Sequence, residues 1–163
     1  MEEERSFLRG KVPFTVGYHE KSSQCTYIYD IQEDEWIEGP SLLAARSFHS
    51  SCAIKSDDGT TESIVIVGGE KNDNDELLRS TEILKIKEQK WISGPTLPIG
   101  LADAACVELP PIMNFACLVI GGRTDGDQNW SSNVYGLDKS LSTWRYLGDI
   151  SKCTYGLLGF SLS

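Results

Sequence analysis

The chain has 163 residues, with 15 basic against 24 acidic side chains for a net charge of −9, and 40% of its residues are apolar. That length and composition fit one globular domain with a sizeable core, and the acidic field disfavours phosphate backbones and anionic lipid headgroups as partners. The longest run without a polar side chain, Phe115 to Gly122, is far shorter than the ~20 residues a spanning helix requires, so neither nucleic acid nor membrane is expected as a partner.

In chain order, the first unit covers residues 12–45. It offers a short apolar strand ending at Gly17, a second strand over 26–31, a third opened by Trp36, and a turn at Gly39-Pro40. It lacks a convincing opening strand. The second unit, 46–100, is complete: strands over 49–54, 63–67 and 81–86, a fourth opened by Trp91, then Gly94-Pro95. The third, 101–150, repeats the order with strands over 104–109, 116–120 and 133–138 and a fourth opened by Trp144. The runs are short, β-branched and stopped by glycine, whereas a core helix needs more than about ten residues at a 3.6 period. The apolar segment within 153–162 reads as one further strand, of the kind the first unit lacks.

The repeat is arithmetical. Trp36, Trp91 and Trp144 stand 55 and 53 residues apart, Gly68-Gly69 and Gly121-Gly122 stand 53 apart, and each diglycine precedes its tryptophan by 22 residues. A unit of four short strands separated by turns is the content of one propeller blade. The glycines are read as backbone geometry at strand ends, since neither diglycine matches a phosphate-binding loop. The tryptophans are read as packing between adjacent units, each worth about 3–5 kcal/mol against alanine.

Taken together, Arg46, Gly68-Gly69, Glu82 and Trp91 in this order and at this period resemble the kelch repeat, over roughly residues 14–150. Departures are Leu101 at the arginine position of the third unit and Tyr27 and Tyr135 at the glutamate position. The resemblance implies an all-β fold of about three four-stranded antiparallel kelch-type blades. Because propellers need four to eight blades, it also implies an incomplete ring, completed by further blades of a longer chain or by a second copy in a homodimer. In the family a terminal strand such as 153–162 commonly completes the first blade.

Five cysteines, Cys25, Cys52, Cys106, Cys117 and Cys153, are odd in number and form no C-x-x-C pair, so they are read as reduced, buried thiols, with no metal site and no cofactor expected. Cys52 and Cys106 lie 54 residues apart, close to one repeat. The acidic N-terminus, Met1-Glu2-Glu3-Glu4-Arg5, lacks the basic and apolar character of a secretory signal, which makes the cytoplasm the expected location.

Function is expected in the loops, because the strands are spent on packing. The connections gathered on the loop faces contain Arg46, Ser47, Asn72, Asp73, Asn74, Arg123, Asp125 and Trp130, a mixed-charge set with one aromatic that suits a protein or peptide partner. Trp130 lies outside the periodic set, and an exposed anchor and a folded-back ring are equally open readings of it. No catalytic residue is expected: His19 and His49 have no motif around them, and His49 and Cys52, three residues apart on one strand, diverge. The kelch resemblance implies protein binding, sometimes as the substrate receptor of a ubiquitin ligase when a BTB domain is attached, for which no residues remain here. The alternative is a degenerate kelch-type enzyme of the oxidase or sugar-epimerase sort.

Overall fold

A computed structural model describes residues 11–15, 23–71, 76–125 and 130–151. Every described element is a β-strand, and the sheets are antiparallel. The first sheet holds β1 (Lys11–Thr15), β2 (Thr26–Asp30) and β3 (Glu35–Glu38), in the order β1-β2-β3. The second holds β4 (Ser50–Lys55), β5 (Thr61–Val67), β8 (Thr81–Lys85) and β9 (Lys90–Ser93), in the order β4-β5-β8-β9. Between β5 and β8, the two-residue strands β6 (Glu70–Lys71) and β7 (Glu76–Leu77) pair as a small hairpin that the sequence reading did not anticipate. The third sheet runs β10 (Ala105–Glu108), β11 (Phe115–Ile120), β12 (Asn133–Asp138) and β13 (Trp144–Asp149), in that order. Each expected strand within the described residues is present to within a few residues. The strand expected within 153–162 lies outside the described residues. Among the described residues no helix is long and apolar enough to cross a membrane.

Alternation along β5 explains how the sheets are held. Successive side chains of a strand point to opposite faces, and here both faces are buried. Val65 and Val67, with Ile83 of β8, join Cys117, Val119, Tyr135, Leu137 and Trp144 of the third sheet in one core, closed by Leu97 and Leu101 of the intervening connection. Ile64 and Ile66, with Leu84, Ile86 and Trp91, form a second core that Leu42 of the preceding connection caps. A strand buried on both faces reads as a continuous apolar run, as residues 63–67 do.

The periodic tryptophans serve this stacking, and they do so unequally. Trp91 is 3% exposed and its indole N–H donates to the Pro40 carbonyl in the preceding connection, 2.8 Å away. Trp144 is 7% exposed and donates to Thr81 Oγ1 of the preceding sheet at 3.0 Å. Trp36 has no described sheet before it. It is 58% exposed and tilts against Tyr29.

The diglycines are left-handed in both units, with φ of 64° and 98° at Gly68 and Gly69 and 68° and 93° at Gly121 and Gly122. A Cβ on Gly68 would overlap the carbonyl of Leu101 in the next connection, and one on Gly69 would lie 2.6 Å from the Ser47 carbonyl oxygen. The paired glycines therefore let two chain crossings pass a strand end at backbone distance.

Urea unfolding is expected to separate these roles. Trp91→Ala should lose about 3–5 kcal/mol of stability and Trp36→Ala about 1 kcal/mol or less. Gly68→Ala should cost several times more than Gly59→Ala, because Gly59 is also left-handed, with φ of 79°, but has open space where a Cβ would go.

Candidate functional site

Antiparallel strand order brings the described connecting residues 39–49, 68–71 with 76–80, 94–104, and 121–125 with 130–132 to one end of the stacked sheets. They are laced together there by backbone bridges, Ser47 with Glu70 and Ala102 with Arg123, and by the Gly69 N–H donating to the Leu101 carbonyl at 2.7 Å. This is the loop face where partner contacts were expected, and it has a buried layer and an open layer.

Arg46 and Ser47 belong to the buried layer, which removes them as direct partner contacts. The Arg46 side chain is 0% exposed, and its guanidinium meets Glu82 Oε1 at 2.6 Å. It also donates to the Gly68 carbonyl at 2.7 Å and to both the carbonyl and the hydroxyl of Ser80. Glu82 in turn accepts from the backbone N–H groups of Leu43 at 2.7 Å and Ala44 at 2.9 Å. One carboxylate thus fastens the connection entering the second sheet, and one guanidinium fastens the connection leaving β5. Such a charge is tolerated in the interior only when it is paired and hydrogen-bonded. His49 lies beside this pair. Burial, then the neighbouring Arg46 charge, holds its imidazole down at about 4, so it is neutral at physiological pH.

Arg123 occupies the next tier. It is half-buried, ion-paired with Glu70 of β6 and 3.8 Å from Asp103. Burial raises the Asp103 carboxyl above its ordinary value, while the Arg123 charge opposes that shift. This group joins the second sheet's hairpin to the third sheet's loop.

The open layer is a cleft of about 510 Å3 between the loops of the second and third sheets. Arg79, Ile99 and Gly100 line one side, and Asp125, Trp130 and Asn133 line the other. Arg79 is exposed and anchored through its Nε, which donates to the Leu97 carbonyl at 2.9 Å. Asp125 is exposed. Trp130 is half-buried and bridges to Arg123 through the backbone, which combines the two readings left open for it: held by the fold, yet lining a cleft. Asn72, Asp73 and Asn74 lie outside the described residues. Arg79, Ile99 and Asn133 escaped the sequence reading because they come from three separate segments, none with a motif of its own.

A second grouping lies between the sheets, below the loops. The sulfurs of Cys52, Cys106 and Cys117 all lie within 4.8 Å of one another, and Cys52 and Cys106 are 3.0 Å apart. Cys117 accepts from Cys106 and then Cys52, which lowers its thiol, while the same contact with Cys117 raises that of Cys106. The equivalent positions of Cys52 and Cys106 in adjacent repeats were the signal for their meeting; nothing in the sequence placed Cys117 with them.

No protein-family model and no curated protein matches this chain.

Two measurements check the buried layer. Glu82→Gln leaves the Arg46 charge buried without its counter-ion and is expected to cost about 3–5 kcal/mol in urea unfolding, against near zero for the exposed Glu76→Gln. For His49 the folded value lies below the unfolded ~6.5, so the unfolded chain binds the extra proton and stability falls as pH drops from about 6.5 to 4. The loss should be on the order of 2 kcal/mol across that window and should be diminished in His49→Gln.

Proposed function

We propose that this chain is a set of kelch-type propeller blades that acts as a binding module, holding a protein or peptide partner in the cleft between the loops of its second and third units. The carrying observation is the division of labour at the loop face. Charged residues at repeat positions, Arg46 and Glu82, are consumed by the fold, whereas the non-periodic Arg79, Asp125 and Trp130 line an open cleft. An arginine, a carboxylate and an indole around an apolar floor at Ile99 supply both anchoring and orientation for a peptide segment.

The kelch assignment draws on the 53–55-residue period, the four-stranded second and third sheets and the indole that bonds to the preceding unit in two of three cases. His49, the histidine among the described residues, sits beside Arg46 with its Nδ1 buried, a poor position for proton transfer to a substrate, which favours binding over catalysis. The exposed Trp36 fits an open end of the stack that further blades, from a longer chain or a second copy, would cover. A role in ubiquitin ligase assemblies would follow from the nature of the partner.

The test is affinity capture from lysate with the wild-type chain and with an Arg79→Ala, Asp125→Ala, Trp130→Ala variant, followed by calorimetry on the recovered partner. Binding weakened more than about tenfold in the variant, with its unfolding midpoint unchanged, is the expected result. Equal binding by both proteins would remove the cleft from the reading. In light scattering, a stable, non-aggregating monomer would count against completion of the ring by a second copy.

A further inference from the structure

From the three thiols gathered between the second and third sheets, we propose that Cys52, Cys106 and Cys117 form a binding site for one thiophilic d10 metal ion, Cu(I) in first place. The site does not depend on the partner-binding reading, since it lies between the sheets and not in the loop cleft.

The strands bring the three sulfurs together from two sheets. Cys52 of β4 pairs in register with Val65 of β5 and shares the face that looks toward the third sheet. Cys106 pairs with Val119 across β10 and β11, and Cys117 lies two residues before Val119 on the same apolar face, diagonal to Cys106. Contacts join the two segments on either side of the cysteines: the Ser50 hydroxyl donates to the Ala104 carbonyl just before β10, and Lys55 meets Glu108 at 3.2 Å toward the other end. The sulfurs are thus held in a triangle by an interface that exists for other reasons.

The dimensions suit a metal. Thiolate bonds of about 2.3 Å arranged trigonally place sulfurs about 4 Å apart; the three sulfurs here fall within 4.8 Å of one another, and Cys52 and Cys106, 3.0 Å apart, must part by about 1 Å to seat the ion. Soft thiolates select Cu(I) and Zn(II) over hard cations. Among the described residues no fourth Cys, His, Asp or Glu joins the group. Zn(II) in structural sites takes four ligands, whereas three thiolates complete a trigonal Cu(I) centre, and this decides the order of preference. Cys117 is fully buried, and Cys52 and Cys106 are partly buried as residues. Binding would release thiol protons as the metal replaces them, with no change of oxidation state.

The experiment uses the full chain carrying Cys25→Ser and Cys153→Ser, so that the remaining thiols are those of the cluster. The reduced protein is titrated anaerobically against a Cu(I)–bicinchoninate complex, with Zn(II) and a chromophoric zinc chelator in a parallel arm. The expected result is withdrawal of one Cu(I) per chain, with a thiolate-to-copper absorption in the near ultraviolet. Cys52→Ser, Cys106→Ser and Cys117→Ala should each weaken retention by more than the ~10–100-fold that loss of a mere supporting contact brings. Cys117→Ala keeps its position apolar and is the variant expected to fold, judged by an unchanged near-ultraviolet signal from Trp91 and Trp144. Failure of the parent protein to withdraw Cu(I), or equal retention by folded Cys117→Ala, would overturn the site. Tighter retention of Zn(II) than of Cu(I) would overturn the choice of ion.

Discussion

The buried carboxylate of Glu82 is the point on which the described stack turns. Its two oxygens take a guanidinium and two backbone N–H groups, all from the connection that crosses from the first sheet to the second. Removing this anion strands a fully buried cation; removing Arg46 strands the anion and takes a donor from the Gly68 carbonyl, while the Ser80 carbonyl still accepts the Gly68 N–H. The gain from such a pair in raw stability is small, because both charges leave water to make it. What it supplies is position. The crossing can sit at one height on the second sheet only, since a shift by one residue would break six hydrogen bonds involving charged groups together.

That fixed crossing has consequences farther out. With residues 43–47 held, Ser47 pairs with Glu70, and Glu70 then stands where Arg123 of the third unit can reach it. The loops of neighbouring units are therefore linked in sequence through side chains that the fold already employs. A partner meeting this face touches a surface whose backbone is preset, which lowers the ordering cost of binding. The residues free to vary without disturbing the stack are those of the upper tier, around Arg79, Asp125 and Trp130.

Legibility in the sequence followed the range of each interaction. Strands and diglycines were readable because periodicity and left-handed glycine are properties of a few consecutive residues. The loop-face assignment of Arg46 failed because arginine is ordinarily a surface residue, and only the arrival of Glu82, 36 positions later, makes its burial tolerable. Trp36 shares its position in the repeat with Trp91 and Trp144, yet an indole is buried by the neighbour it meets, and the repeat says nothing of which unit is described next to it. The thiol cluster needed two pieces of knowledge: that adjacent units stack face to face, and that β11 presents Cys117 on the same face as Cys106. The first was implicit in the near-repeat spacing of Cys52 and Cys106, and the second required the register.

The third unit shows how the same device can be exchanged for another. Leu101 stands where the second unit has Arg46, and Tyr135 where it has Glu82, two departures that look like decay when each is taken alone. In the folded protein both are buried in one core, packed with Val65, Val67 and Leu137, and the Tyr135 hydroxyl receives the Asn133 amide at 2.9 Å. Neither half of the charged pair survives without the other, and neither is left without apolar company. Replacing a buried ion pair by well-packed apolar groups is commonly neutral or stabilising, whereas replacing one partner is not. The paired loss is therefore what physics permits at this position. It trades the directional fastening of the second unit for area buried against its neighbour, and the Leu101 carbonyl, which accepts the Gly69 N–H, keeps the crossing at the same height.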